Sequence, residues 1–131
     1  MEKFKLFILL ALSSILLSFS LGKEGKDCSI IKNSNFTYIN QGKEVFVVFK
    51  GNEYVEYHNN RKHFIKAEIE WITDCEYNLI IEESTIPGFP LDGGTSMNIQ
   101  VNRVSGNKVF YTCTLGTKSW KGKMTKTKKS K

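Results

Sequence analysis

The chain has 131 residues, 40% hydrophobic and 12% aromatic with only two prolines, a composition that excludes a disordered or collagen-like chain and a length that suits one domain. Its net charge of +6 is unevenly placed: residues 118–131 carry seven Lys and no acid, whereas residues 23–117 hold 10 basic and 12 acidic side chains, a net of −2. The body is therefore not basic, which argues against a nucleic-acid-binding domain.

The first 22 residues, MEKFKLFILLALSSILLSFSLG, set Lys3 and Lys5 ahead of an apolar and Ser run from Leu6 to Leu21. That order predicts a secretory signal peptide forming a helix, cleaved after Gly22, because the run is short for a roughly 30 Å hydrocarbon core. Three segments follow from this: a signal peptide over 1–22, a single β domain over 23–125 and a basic tail over 126–131. The expected location is outside the cytoplasm, periplasmic or secreted, with the membrane met only through the signal peptide.

After a polar lead, KEGKDCSIIKNSN, the chain runs through short segments rich in Val, Ile, Phe, Tyr and Thr, punctuated by Gly and Asn. These predict strands and tight turns, with no helical repeat outside the signal. EVFVVFK (44–50) is a strand, Gly51-Asn52 a turn and EYVEYH (53–58) the next strand. For the hairpin that follows, pairing residues whose numbers sum to 122 sets Tyr57 opposite Ile65, Val55 opposite Ala67 and Glu56 opposite Lys66. Apolar meets apolar and opposite charges meet, so that register is preferred over a sum of 121, which sets Glu56 against Ile65. It leaves 59–63 as a five-residue loop.

From Ile65 the alternation is clean, with Ile65, Ala67, Ile69 and Trp71 on one face and Lys66, Glu68 and Glu70 on the other. Beyond Thr73-Asp74, Cys75, Tyr77, Leu79 and Ile81 share the next apolar face. The loop STIPGFPLDGGTS separates this strand from one marked by Met97, Ile99 and Val101. The strand after it carries Val109, Tyr111, Cys113 and Leu115, and the last carries Trp120 and Met124 inward with Lys121 and Lys123 outward. Seven or eight consecutive strands joined by short connections predict an all-β antiparallel meander, closed or partly closed like a small lipocalin-type barrel, since closure removes exposed edges.

Three cysteines remain in the exported chain: Cys28, Cys75 and Cys113. An oxidising compartment favours one disulfide and one leftover thiol. In a meander, Cys75 and Cys113 lie two strand spacings apart, roughly 9–10 Å, beyond the about 7 Å that a disulfide spans. Cys28, in a flexible lead, can reach the turn at Asp74-Cys75, so Cys28–Cys75 is the expected bridge, and Cys113 reads as a small buried hydrophobe. A catalytic role for Cys75 is disfavoured by Asp74 and Glu76 beside it, which oppose a thiolate. No CxxC or Cys/His cluster calls for a metal.

The string EYHNNRKHFIKAEIEWITDCEYNLIIEESTIPGFP (56–90), with its W-x-x-D-C-E-Y-N segment, resembles a group of small exported proteins from Bacteroidetes-type bacteria. The resemblance covers residues 28 to about 125. It implies a Gram-negative envelope, agrees with a Cys28–Cys75 bridge and implies no activity. The label DNA topoisomerase IV that such proteins sometimes carry finds no support in a small, exported chain without a nucleotide-binding loop. In a bacterial chain, the glycosylation-type triplet Asn35-Phe36-Thr37 is fortuitous.

Candidate sites are few. His58 and His63 flank the HNNRKH turn without facing each other in the preferred register, and no third metal ligand is near. Glu68, Glu70, Glu76 and Glu82 lie on polar strand faces, where solvated carboxylates are expected. No nucleophile, base and orienting group can be named together, so neither an enzyme nor a cofactor is expected. What remains is a binding module: an apolar or amphipathic small molecule held between sheet faces by Ile65, Ile69, Trp71, Tyr77, Leu79, Ile99, Val101 and Tyr111, with Phe89 as a lid. The alternative is an envelope interaction protein with a solid core, meeting a protein or an anionic surface through the Phe89 loop and the Lys-rich tail.

Overall fold

The structure, a computed structural model, describes residues 27–127; the expected signal peptide and the last four residues of the tail lie outside them. Eight strands follow one another: β1 (Asn35–Asn40), β2 (Lys43–Lys50), β3 (Glu53–His58), β4 (His63–Thr73), β5 (Glu76–Ser84), β6 (Ser96–Ser105), β7 (Lys108–Leu115) and β8 (Lys118–Lys126). Every sequential pair is antiparallel and β8 returns to β1, so the expected meander is a closed barrel. Tight connections make this arrangement direct: Gly42, Gly51, Gly106 and Gly116 each take positive φ, which glycine adopts without a Cβ clash. The barrel also uses bulges in β4–β5 and in β6–β7, the latter between Val101 and Arg103, which re-aim the strands as they curve.

Alternation places the inner faces as expected for β4 (Ile65, Ala67, Ile69) and β5 (Tyr77, Leu79, Ile81), all buried. β3 departs from expectation. It pairs with β4 in the register that sums to 121, with Tyr54 opposite Ala67, Glu56 opposite Ile65 and His58 opposite His63. Tyr54, Glu56 and His58 therefore face inward, and the connection shrinks to residues 59–62, where Asn59, Asn60 and Arg61 all take positive φ. Two sets of contacts offset what the simple pairing rule counts against this register. Inside, Glu56 meets three hydrogen-bonding side chains, described below. Outside, Tyr57 and Phe46 lie beneath the Arg61 guanidinium, at 5.3 and 4.7 Å.

One end of the barrel is sealed by the lead segment, which is ordered rather than flexible from Asp27 onward. Cys28–Ile30 forms a single 3-10 turn capped by Asp27, whose carboxylate accepts from the Ser29 N–H. This turn drops Cys28 and Ile31 into the barrel end, where both are buried. The disulfide runs from Cys28 to Cys75 with a Cα–Cα distance of 5.3 Å, as expected, across 47 residues of chain. Lys32 completes the seal, pairing with Asp74 at 3.0 Å and lying 4.9 Å over the Trp71 ring. Beneath, Phe49 makes edge-to-face contacts with Phe36, Tyr54 and Tyr77 at 5.2–5.8 Å between ring centres. Apolar and aromatic side chains pack this half of the interior.

The barrel closes by its shortest ladder. β1 and β8 pair only through Phe36–Lys126 and Thr37–Thr125, extended by the Thr127 N–H donating to the Asn35 carbonyl at 2.9 Å. The ladder thus includes two residues expected to belong to the tail. Toward the other end no further pairs join the two strands, and Trp120 is exposed there; Ile39, alternating with inward Tyr38, is exposed on the outer face.

If the 3-10 turn belongs to the cooperative unit, Ile31→Ala should lower the free energy of unfolding by about 2–5 kcal/mol. Cys75→Ala should lower it by about 2–4 kcal/mol. Urea titration of each variant measures this; an unchanged midpoint for Ile31→Ala would show that the turn is peripheral to the fold.

Candidate functional site

The opposite half of the barrel is not filled. A cavity of ≈ 170 Å³ lies between Tyr38 of β1, Tyr54 and Glu56 of β3, Met97 and Ile99 of β6, Tyr111 and Cys113 of β7, and Trp120 and Met124 of β8, with Val47 and Leu79 behind. Each of these side chains is inward by the same two-residue periodicity that buries the core. Trp120, which is 48% exposed, stands at the rim where β8 leaves β1. Two other recesses, ≈ 290 and ≈ 270 Å³, lie among turns and strand ends on the outer surface, one beside Asn33 and Lys126 and one beside Lys43 and Asn59.

Glu56 organises the cavity. Its Oε1 accepts from the Tyr38 hydroxyl at 2.7 Å and lies 2.8 Å from His58 Nε2, and its Oε2 accepts from the Tyr54 hydroxyl. A carboxylate oxygen only accepts, so the His58 contact requires the proton on Nε2. The side chains of Glu56 and His58 are only 15% and 17% exposed. Three side chains from two strands, β1 and β3, thus converge on one carboxyl, which would be unfavourable to bury without such partners.

The surrounding acids are held in their neutral forms. Burial, and after it the Glu56 charge, pushes the Tyr38 and Tyr54 phenols far above their ordinary value of 10.0. The same two causes push Tyr111 up to about 12 and the Cys113 thiol up to about 11. Cys113, whose sulfur lies 4.0 Å from that of Met97, is thus a thiol and not a thiolate nucleophile. Tyr111 folds across Gly122 of β8: a Cβ there would meet the tyrosine Cζ at 2.5 Å, so this ring position depends on the glycine.

Of the residues expected to line a cavity, Leu79, Ile99 and Tyr111 do so. Ile65, Ile69, Tyr77 and Val101 belong to the packed core instead, and Trp71 is half-buried against Tyr77, 5.0 Å between rings, at the sealed end. Phe89 packs with Ile86 and Leu91 against the core and is not among the cavity's lining residues. His58 and His63, expected not to face each other, are cross-strand partners. Among the described residues no group of three His, Cys, Asp or Glu is placed to hold a metal. Of the outer-face carboxylates, Glu70 accepts from Asn78 and Glu76 from Asn98, while Glu68 and Glu82 are exposed. The missed residues, Tyr54, Glu56 and His58, do carry a signal: polar and aromatic groups at i, i+2 and i+4 share one strand face.

No family model, curated protein or solved structure matches the chain.

Because Cys113 and Tyr111 hold their protons more tightly folded than unfolded, the contribution of Cys113 to stability is complete below pH 9 and lost as pH rises through about 11, and that of Tyr111 is complete below pH 10 and lost as pH rises through about 12. The denaturation midpoint should fall across this window, and Cys113→Ala should make the fall shallower. A midpoint unchanged between pH 9 and 11 would contradict the burial of these two groups.

Proposed function

We propose that this chain is an exported, lipocalin-like binding module that holds a small amphipathic molecule in the cavity beside Glu56. The supporting observation is the contrast between the two barrel halves: one is packed with apolar and aromatic side chains and cross-linked, and the other keeps a cavity of ≈ 170 Å³ into which a hydrogen-bonded carboxyl projects. A barrel that needed only a stable core would gain by filling that space with apolar side chains. Concave, largely apolar sites with a few convergent polar groups are where small ligands bind.

Export is supported by the signal-like start and by a disulfide that persists in oxidising compartments. The resemblance to small exported Bacteroidetes-type proteins favours a Gram-negative envelope. A binding rather than catalytic role is favoured because the one thiol in the cavity is held protonated and Glu56 is tied to three side chains.

A second reading has its own observation. Lys121 and Lys123 lie on the outer face of β8, with Lys118 and Lys126 exposed at its two ends, a basic strand that could meet an anionic surface or protein. Such contacts would be sensitive to salt.

Native mass spectrometry of the non-reduced protein from its own cell envelope decides between the two. An excess mass that leaves on denaturation is expected for the binding module. A bare chain mass would move the function to the β8 surface.

A further inference from the structure

The chemistry of the cavity wall narrows the ligand further, on the premise that the cavity is a ligand site. Glu56 is the one formally charged side chain among the lining residues; no Lys or Arg is among them. The donors nearest the carboxylate are committed, whereas the Tyr111 O–H and the Trp120 N–H of the wall have no partner among the described residues. Tyrosine has a single O–H, and those of Tyr38 and Tyr54 are both directed at Glu56, as is Nε2 of His58. A ligand that brings only acceptors, such as a carboxylate or phosphate, would meet the Glu56 charge with no cationic side chain in the wall to offset it and only neutral donors, Tyr111 and Trp120, to bind it.

A ligand that brings a positive donor meets the opposite situation. A carboxylate accepts about four hydrogen bonds, and Glu56 makes two at Oε1 but one at Oε2 among the described residues. The rings of Tyr38, Tyr54, Tyr111 and Trp120 stand around it, and aromatic faces attract cations. The sulfurs of Met97 and Cys113 and the side chains of Leu79 and Ile99 supply an apolar floor. An engineered protein cavity of about 150 Å³ holds benzene, so ≈ 170 Å³ suits a body of similar size.

We propose that the cavity takes a small organic cation: a primary or secondary amine on one compact apolar or aromatic body, its ammonium donating to Oε2 of Glu56 and its body lying among Tyr111, Trp120 and Met97. The Tyr38 and Tyr54 hydroxyls act as positioning groups that fix the carboxylate before the ligand arrives, which reduces the ordering that binding requires.

The test compares three molecules of nearly equal shape against the disulfide-bonded protein at pH 7: benzylamine, benzyl alcohol and benzoate. Affinity is followed by titration calorimetry. Benzylamine should bind at least about tenfold more tightly than benzyl alcohol, since a charge-assisted bond is roughly twice as strong as a neutral one, and benzoate should bind least. Glu56→Gln should bring the ratio of amine to alcohol affinity close to one. Equal binding of amine and alcohol, or a preference for benzoate, would overturn the cation inference and leave the cavity as a ligand site. Failure of all three to bind would overturn both. The comparison on the unaltered protein stands even if the variant does not fold.

Discussion

The constraint on which the rest of this barrel depends is the burial of one carboxyl. Turning Glu56 inward is unfavourable unless its oxygens are satisfied, and the chain satisfies them from three inward positions: Tyr38 on β1, and Tyr54 and His58 two residues to either side on β3. That single choice selects the β3–β4 register, because a slip of one residue would turn every β3 side chain to the opposite face. It also brings phenol rings into the interior whose hydroxyl ends need polar company. An interior that must keep this polar group cannot close completely on apolar side chains, and the cavity is the result.

The two ends of the barrel divide dense, cross-linked packing from an incompletely filled interior. At the sealed end, the disulfide, the buried Ile31 and the Phe36–Phe49–Tyr77 cluster supply cross-linking and dense apolar packing. For a domain of this size such a bridge supplies a large share of the usual net stability of roughly 5–15 kcal/mol. The other end can then keep a polar, incompletely filled interior without the barrel losing its shape. Tyr54 belongs to both halves, meeting Phe49 edge-to-face with its ring and holding Glu56 with its hydroxyl.

Much of this architecture is legible in the amino-acid sequence. The alternation from Ile65 to Ile81 marks two strands and their inner faces, the turn residues mark the meander, and strand spacing separates Cys75 from Cys113 and so favours Cys28 as the partner of Cys75. The register of β3 is not legible by the same means. Pair rules weigh Glu56 against Ile65 and Lys66 alone, whereas the hydroxyl that decides the matter belongs to Tyr38, 18 residues away. Which inward residues line the cavity is only partly legible, for a related reason. Ile65, Ile69, Trp71 and Tyr77 are as inward as Leu79 and Ile99, but only the lead segment, whose short 3-10 turn has no strand periodicity, determines which half is plugged.

The shortness of the β1–β8 ladder bears on kinetics as well as on shape. The two strands are paired only near the sealed end, so the wall beside the cavity is bounded there by the side chains of Tyr38 and Trp120 rather than by a continuous hydrogen-bonded sheet. A molecule passing that wall has side-chain rotations to wait for, and rotations of exposed side chains occur in picoseconds to nanoseconds. Strands that must unzip, or a lid that must swing, would impose microseconds or more. For a ligand bound as proposed, exchange would then be set by how long the molecule stays, with no strand required to unzip.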